Sequence, residues 1–311
     1  NWSMKVFVTG GAGYVGSACL RLLLAEGHDA IAFDNLYKGH REAIPADRLV
    51  VGDLHDTAAL TRAMIDHGSE AVMHFAAATD VGESVTNPDY HFSNNVGGTL
   101  SLLRAMREAG VQRMLFSSTC ATYGDNPKPP MDESAVQIPC SPYARTKLAV
   151  EWMIRDFAQA YGLGFTLLRY FNAAGADLDG EFGEDHDPEL HLIPLVLQVP
   201  LGKRQKIYLF GDDYPTPDGT CIRDYVHTDD LASAHLLAIA ATTPVTAEVF
   251  NIGTGQGQSV KQIHAACEAV TGQKIPFEVV KRRPGDAPAL VANPAKLLTR
   301  LGWKPKHRDI S

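Results

Sequence analysis

Along the chain, short apolar runs alternate with longer stretches of helical spacing. Lys5-Val6-Phe7-Val8-Thr9, Ala30-Ile31-Ala32-Phe33, Leu49-Val50-Val51, Ala71-Val72-Met73-His74-Phe75, Met114-Leu115-Phe116 and Phe165-Thr166-Leu167-Leu168 read as buried strands. Between them, Leu20, Leu23 and Leu24 share a helix side ahead of Gly27, and further helical segments fall near 56–67, 88–109 and after Tyr143. This alternation predicts an α/β fold, a Rossmann-type doubly wound parallel sheet covered on both faces. Beyond about Asn172 the rhythm changes. Residues 175–188 are rich in Gly, Asp and Glu and residues 211–219 in Asp and Pro, which marks long loops of the kind that carry function. The reading places a dinucleotide-binding domain at 4–172, with a return segment near 222–252, and a smaller, discontinuous α+β substrate domain at 173–311.

Composition narrows the function classes. The length of 311 residues suits two domains or one large one, and 45% hydrophobic with 21% charged residues excludes a disordered chain. A net charge of 28 − 36 = −8 without a basic cluster argues against nucleic acid as a partner. The five cysteines are scattered and form no C-x-x-C pair, so they mark neither a disulfide framework nor a zinc site, and no metal is expected. No apolar stretch approaches the roughly 18–20 residues of a membrane helix; Leu192 to Leu197 is short and interrupted by Pro194. Asn1-Trp2-Ser3 lacks a secretory pattern and reads as a remnant ahead of Met4, so a cytoplasmic location is expected.

The chemistry begins at the first strand end. Gly10-Gly11-Ala12-Gly13-Tyr14-Val15-Gly16 follows a strand and opens a helix, where glycines let the backbone approach a pyrophosphate at the helix N-terminus. Asp34 ends the next strand, where a carboxylate accepts from the adenosine ribose hydroxyls and repels a 2′-phosphate, favouring NAD over NADP despite nearby Lys38 and Arg41. Asp53 ends the third strand at the adenine edge, or caps the next helix. Phe75-Ala76-Ala77 ends the fourth with small residues that permit close approach. Tyr143 and Lys147 lie four residues apart on one helix face, where the ammonium would draw the phenol towards a usable base. Ser117-Ser118-Thr119 ends the fifth strand, and Thr119 is the hydroxyl placed for the substrate oxygen.

With these residues in view, the chain resembles the extended short-chain dehydrogenase/reductases and, within them, the UDP-glucose 4-epimerase family. The resemblance spans nearly the whole length: Thr9 to Ser17, Asp34-Asn35-Leu36, Val81-Gly82-Glu83-Ser84, Asn94-Asn95-Val96, Ser141-Pro142-Tyr143, Arg169-Tyr170-Phe171-Asn172, Gly211 to Thr216, Gly219 to Tyr225, and Arg283-Pro284-Gly285-Asp286. It implies reversible C4 epimerisation of UDP-galactose and UDP-glucose through a 4-keto sugar, with hydride passed to and returned from tightly bound NAD. Tyr143 is implied as base, Lys147 as its partner, and Thr119 as the O4 contact. The implied cofactor positions are Gly10, Gly13, Tyr14, Val15, Gly16, Asp34, Asn35, Asp53, Leu54, Phe75, Ala76, Ala77, Asn95, Ser117 and Tyr170, with Tyr143 and Lys147. Arg223 and Arg283 are implied on the diphosphate, Asn172 on the diphosphate–sugar, Asp286 on the uridine ribose, and His191 and Leu192 beside the substrate.

The sequence also departs from the family. Thr79 stands where some members have lysine, His191 replaces an asparagine, and Leu290 is of intermediate size at a position that sets room around the sugar 2-position. The chain ends soon after Leu301-Gly302-Trp303, where members usually continue with a helix. A nucleotide-sugar 4,6-dehydratase would need acidic residues where Cys120-Ala121 follow Thr119. A UDP-pentose or UDP-uronic acid 4-epimerase shares the C4 chemistry, while a non-catalytic NAD sensor would need no tyrosine base. The resemblance implies a homodimer built by helices near 92–109 and 143–161, with Leu100, Leu103, Met106, Met153, Ile154 and Phe157 at helical spacing.

Overall fold

The computed structural model describes residues 3–124, 128–177, 179–283 and 286–308. Asn1 and Trp2 of the leading tripeptide, and Pro284 and Gly285 of the 283–286 motif, lie outside the described residues. Strands β1 (Lys5–Thr9), β2 (Asp29–Asp34), β3 (Leu49–Val51), β4 (Ala71–His74), β5 (Arg113–Thr119) and β6 (Gly164–Tyr170) come first. The chain then leaves this layer for β7 (Asn172–Ala174), β8 (Ile207–Phe210) and β9 (Ile222–His227), comes back with β10 (Ala247–Ile252), and leaves again for β11 (Gly257–Ser259), β12 (Phe277–Val280) and β13 (Ala289–Leu290).

One seven-stranded sheet has the order β3-β2-β1-β4-β5-β6-β10, and all its pairings are parallel. The strand order reverses between β1 and β4, and ligands of open α/β sheets bind in the crevice at that switch point. The helices are α1 (Tyr14–Ala25), α2 (Thr57–His67), the short α3 (Val81–Thr86) and α4 (Pro88–His91), α5 (Gly98–Ala109), α6 (Pro142–Tyr161), α7 (Leu192–Leu197), α8 (Thr228–Ala241), α9 (Val260–Thr271) and α10 (Ala295–Leu301).

The period-two strand pattern decides which face each side chain serves. Val6 and Val8 pack with Leu20 and Leu23 of α1 and Leu231 and Ile239 of α8. Phe7 points the other way, with Leu102 and Met106 of α5 and Ile154 of α6. Within residues 222–252, β9 lies in the smaller sheet, whereas α8 and β10 lie with the large one. That smaller sheet joins β7, β9, β11 and β13, and β8 pairs with β12 beside it. The chain end docks back on α8: Trp303 is buried and donates from Nε1 to the Asp230 carbonyl, whose side chain accepts from the Lys306 and His307 nitrogens.

One expectation changes in the structure, and another, that most apolar positions on the two helices face the sheet, is met. The helix near 88–109 is broken by a π-helical stretch, Phe92–Gly97. Of the six apolar positions offered for a subunit contact, Leu103, Met106 and Ile154 are buried in the core, and Met153 and Phe157 pack against it. The exposed apolar side chains of that region are Val81, Val85, Phe92, Trp152 and Tyr161. Among the described residues no helix is long and apolar enough to cross a membrane.

Candidate active site

The switch point opens into one cleft of about 2340 Å³. Single-ligand pockets occupy about 300–1,000 Å³, so this cleft has room for more than one ligand. Its walls come from both halves of the chain. Gly10, residues 12–16, Asp34, Asn35, Leu54 and Phe75 to Ala77 line one part, and Asn172, His191, Leu192, Arg223, Arg283 and Asp286 line another. Thr119, Tyr143 and Tyr170 line it as well.

The glycine loop is fixed by backbone contact. Gly10 has φ +68, and a Cβ there would sit 2.5 Å from the Ala76 nitrogen, so β1 and β4 close on each other only because this residue has no side chain. A Cβ on Gly16 would strike the Gly10 carbonyl. Gly13 caps α1 with no side-chain partner for the first-turn N–H groups, which leaves that positive end available to an anion. Asp34 is buried and accepts from the Ala12 nitrogen at 3.0 Å and the Leu36 nitrogen at 2.8 Å, so its carboxylate is held at the end of β2. Lys38, one of the two cations downstream of Asp34, donates from Nζ to the Asp187 carbonyl. Asp53 does not line the cleft; its carboxylate accepts from Asn35 and from the His55 nitrogen, bonds that hold it below the usual carboxylate range.

The catalytic candidates meet where β5 and α6 converge. Ser141 caps α6 by accepting from the Ala144 nitrogen, and Pro142 takes the first helical position, where its missing N–H costs nothing. Tyr143 and Lys147 therefore stand on the first two turns. Lys147 is buried, donates from Nζ to the Ser117 carbonyl at 2.9 Å, and lies 6.0 Å from the Tyr143 ring centre. Burial drives its pKa down to about 7, opposed by the Glu151 carboxylate. Burial also pushes the Tyr143 phenol above its ordinary value; Tyr170 adds to this and the Thr119 hydroxyl works against it. The expected lowering of the phenol by Lys147 is not seen: the Lys147 ammonium is turned to the Ser117 carbonyl, and burial sets the direction of the Tyr143 shift.

Three of the expected cofactor positions form the wall behind the cleft. Asn95, Ser117 and Lys147 do not line it, and all three are buried. The Asn95 amide donates to the Ala78 carbonyl and to Thr146 of α6, and accepts from the Ala78 nitrogen, so it ties the segment after β4 to the catalytic helix. The π-helical stretch carries this residue, and such stretches recur at functional sites. Ser117 Oγ bonds the Tyr170 hydroxyl at 2.7 Å. Neither tie has a local sequence signature.

The smaller half is more loosely arranged. Arg223 donates to the Ile222 and Ala287 carbonyls and reaches Asp286 Oδ1 at 3.5 Å. Arg283 is exposed, with its guanidinium 3.8 Å over the Phe210 ring. Asp224, next to Arg223, is fully buried and accepts from the nitrogens of Thr254, Gly255 and Ala292, clamping β9 to its neighbours.

The NAD dependent epimerase/dehydratase family model matches residues 6–253. The chain belongs to that family. A UDP-glucose 4-epimerase of Corynebacterium glutamicum is 49% identical over 99% of this chain and 92% of that protein. The crystal structure of a UDP-glucose 4-epimerase from Brucella ovis in complex with NAD superposes with a TM-score of 0.95 at 46% identity, covering 99% of this chain and 95% of that one. A UDP-glucose-4-epimerase from Stenotrophomonas maltophila with bound NAD and formylated UDP-arabinopyranose gives 0.94 at 39% identity, covering 99% and 94%. The resemblance read from the motifs is borne out by these relatives, and so is the Rossmann-type fold with a second, smaller domain.

Sequence reasoning passed over one residue that supports the catalytic candidates from behind the cleft. Glu151 stands one turn beyond Lys147 on the same face of α6. It is buried, accepts from Arg169 Nε at 2.9 Å and Nη2 at 2.6 Å, and accepts from Ser118 Oγ. Arg169 extends the network to Tyr123 and, through its hydroxyl, to Asn251 of β10. The eight-residue spacing from Tyr143 was visible in the sequence, but the partner lies on β6.

Proposed function

We propose that the protein interconverts UDP-galactose and UDP-glucose by reversible epimerisation at C4, with NAD held throughout the cycle. The observation that carries this reading is that Thr119 and Tyr143 line a cleft with room for a dinucleotide and a nucleotide sugar together, with Lys147 buried directly behind them. The glycine loop and α1 fit the pyrophosphate, and Asp34 fits the adenosine ribose, with Asn35 and Leu54 beside it. Phe75, Ala76 and Ala77 leave space for a flat ring next to Tyr143. NAD, when bound, supplies the hydride acceptor and donor together with a ring cation.

The chain's own part is proton transfer and positioning. Tyr143 Oη takes the proton of the sugar 4-hydroxyl as C4 is oxidised, and Thr119 holds O4. Lys147, fixed by Ser117, favours the phenolate electrostatically. Arg223 and Arg283 bind the diphosphate with guanidinium forks, Asn172 and His191 assist them, Leu192 borders the sugar, and Asp286 takes the uridine ribose. A firm hold on the nucleotide with few contacts to the sugar lets the 4-keto intermediate present its other face, where Tyr143 returns the proton. In this reading the cofactor body is residues 4–172 with the return segment, and 173–311 supplies the nucleotide-sugar body. A homodimer through the exposed Val85, Phe92, Trp152 and Tyr161 region, and a cytoplasmic location, belong to the same proposal.

The test mixes purified protein with UDP-galactose, adds no cofactor, and follows the sugar resonances by proton NMR. Conversion to a UDP-glucose/UDP-galactose mixture is the expected result. No conversion by folded protein, with or without added NAD, overturns it. The UDP-pentose in the Stenotrophomonas maltophila relative favours a second arm with UDP-arabinopyranose, whose exclusive conversion would move the assignment to pentose epimerisation.

A further inference from the structure

The loop before α7 gathers four side chains that the epimerisation chemistry does not need in this arrangement: Glu184, His186, Glu189 and His191. One ligand atom from each lies within 4.8 Å of all the others. Both carboxylates are almost entirely buried, with 7% of each side chain exposed. Among the described residues, imidazoles are their only ion-pair partners. Glu184 Oε1 and His186 Nδ1 are buried and make no well-aligned hydrogen bond, so their polar contacts are the ion pairs within this cluster.

We infer that these four residues form a binding site for a divalent metal ion of the zinc type. Four ligands at about 2.0–2.1 Å from a tetrahedral ion lie about 3.3 Å from one another. The separations here are 2.5 Å for Glu184 Oε1 to His191 Nδ1 and 3.4 Å for Glu184 Oε1 to His186 Nδ1, while Glu189 presents Oε1 at 3.3 Å from His191 Nδ1 and Oε2 at 3.8 Å from His186 Nδ1, so either of its oxygens can serve as the fourth ligand. Two imidazoles and two carboxylates match zinc chemistry, and two buried negative charges neutralise one dication. An outer shell is present too: Glu189 Oε1 accepts from the Leu190 and His191 nitrogens, which fixes that carboxylate, and the Tyr14 ring meets the His186 ring edge-on at 6.0 Å.

The ion would pin residues 184–191 against the start of α1. It would also occupy His191 Nδ1, leaving Nε2 as the protonated nitrogen. His191 then enters the cleft as an obligate donor, as a phosphate requires.

The experiment uses untagged, EDTA-treated protein titrated with Zn²⁺ against a chromogenic chelator, with Co²⁺ substitution read in the visible spectrum. One equivalent bound, tetrahedral Co²⁺ bands, and at least tenfold weaker binding in both Glu184→Gln and His186→Gln are expected. Protein that takes up no metal saturably overturns the proposal, since the imidazoles then neutralise the carboxylates as protonated cations. Uptake that survives both substitutions but falls in His307→Ala also overturns it, by locating the ion at His227, Asp229 and His307 instead. Circular dichroism confirms that each variant is folded, and the wild-type titration decides the matter if one is not. Because binding is the readout, the outcome is independent of the epimerase reading.

Discussion

The two sides of the cleft are built to different standards of rigidity. On the proposed cofactor side, the Asn95 amide, Ser117, Lys147 and Glu151 are buried and hydrogen-bonded across four elements. On the nucleotide-sugar side, Arg223 is shared between backbone carbonyls and a distant Asp286, and Arg283 rests on an aromatic face. A group that must meet one ligand in one geometry gains from preorganisation. Groups that must release one substrate and accept another are better left with partners they can exchange.

The sharpest break of this contrast is Tyr143→Phe. It removes one oxygen from a helix already capped and packed, so folding should be unchanged while kcat falls about 10²–10⁴-fold, as NMR conversion rates would show. Glu151→Gln should do the opposite. Leaving the buried Arg169 uncompensated costs about 3–5 kcal/mol, and chemical denaturation should register most of it.

A third test concerns pH. His235 is fully buried against Phe75 and Tyr170, and burial lowers its pKa from 6.5 to about 4. The unfolded chain binds a proton below about 6.5 that folded His235 refuses until about pH 4. Stability is therefore full above 6.5 and is lost as pH falls through that window, by up to about 1.4 kcal/mol per pH unit. Thermal melts from pH 7 to 5 should show a shallower decline in His235→Phe, and an identical slope would refute this. The mildest change is Arg283→Ala: on an exposed side chain it should leave the melting temperature in place and raise KM for UDP-galactose about tenfold, the loss of one charge-assisted bond.

The legibility of the chain follows the same divide. The sheet, the glycine loop, Asp34 and the Tyr143/Lys147 pair were readable because each depends on local spacing: period two in a strand, three and four in a helix, glycine where the backbone turns. Asn95, Ser117 and Glu151 hold their places through residues far along the chain (Ala78, Tyr170 and Arg169), and no spacing reports such a partner. The π-helical stretch was hidden because its residues read as continuous helix. The Glu184 to His191 cluster was visible as letters but not as a centre, since only the folded loop turns its four ligands inward.

That loop has one more consequence. Tyr14 donates to the Gly175 carbonyl at 2.5 Å, Arg21 stacks on Phe182 at 3.8 Å, His40 meets Asp185 at 3.6 Å and Lys38 holds Asp187. Residues from the second half of the chain are thereby strapped to α1 and to the loop after β2. If NAD sits at α1 as proposed, those links would have to open for it to leave, which would tie its residence time to local opening. In the proposed cycle each hydride is handed back, so the carrier would have no need to be exchanged.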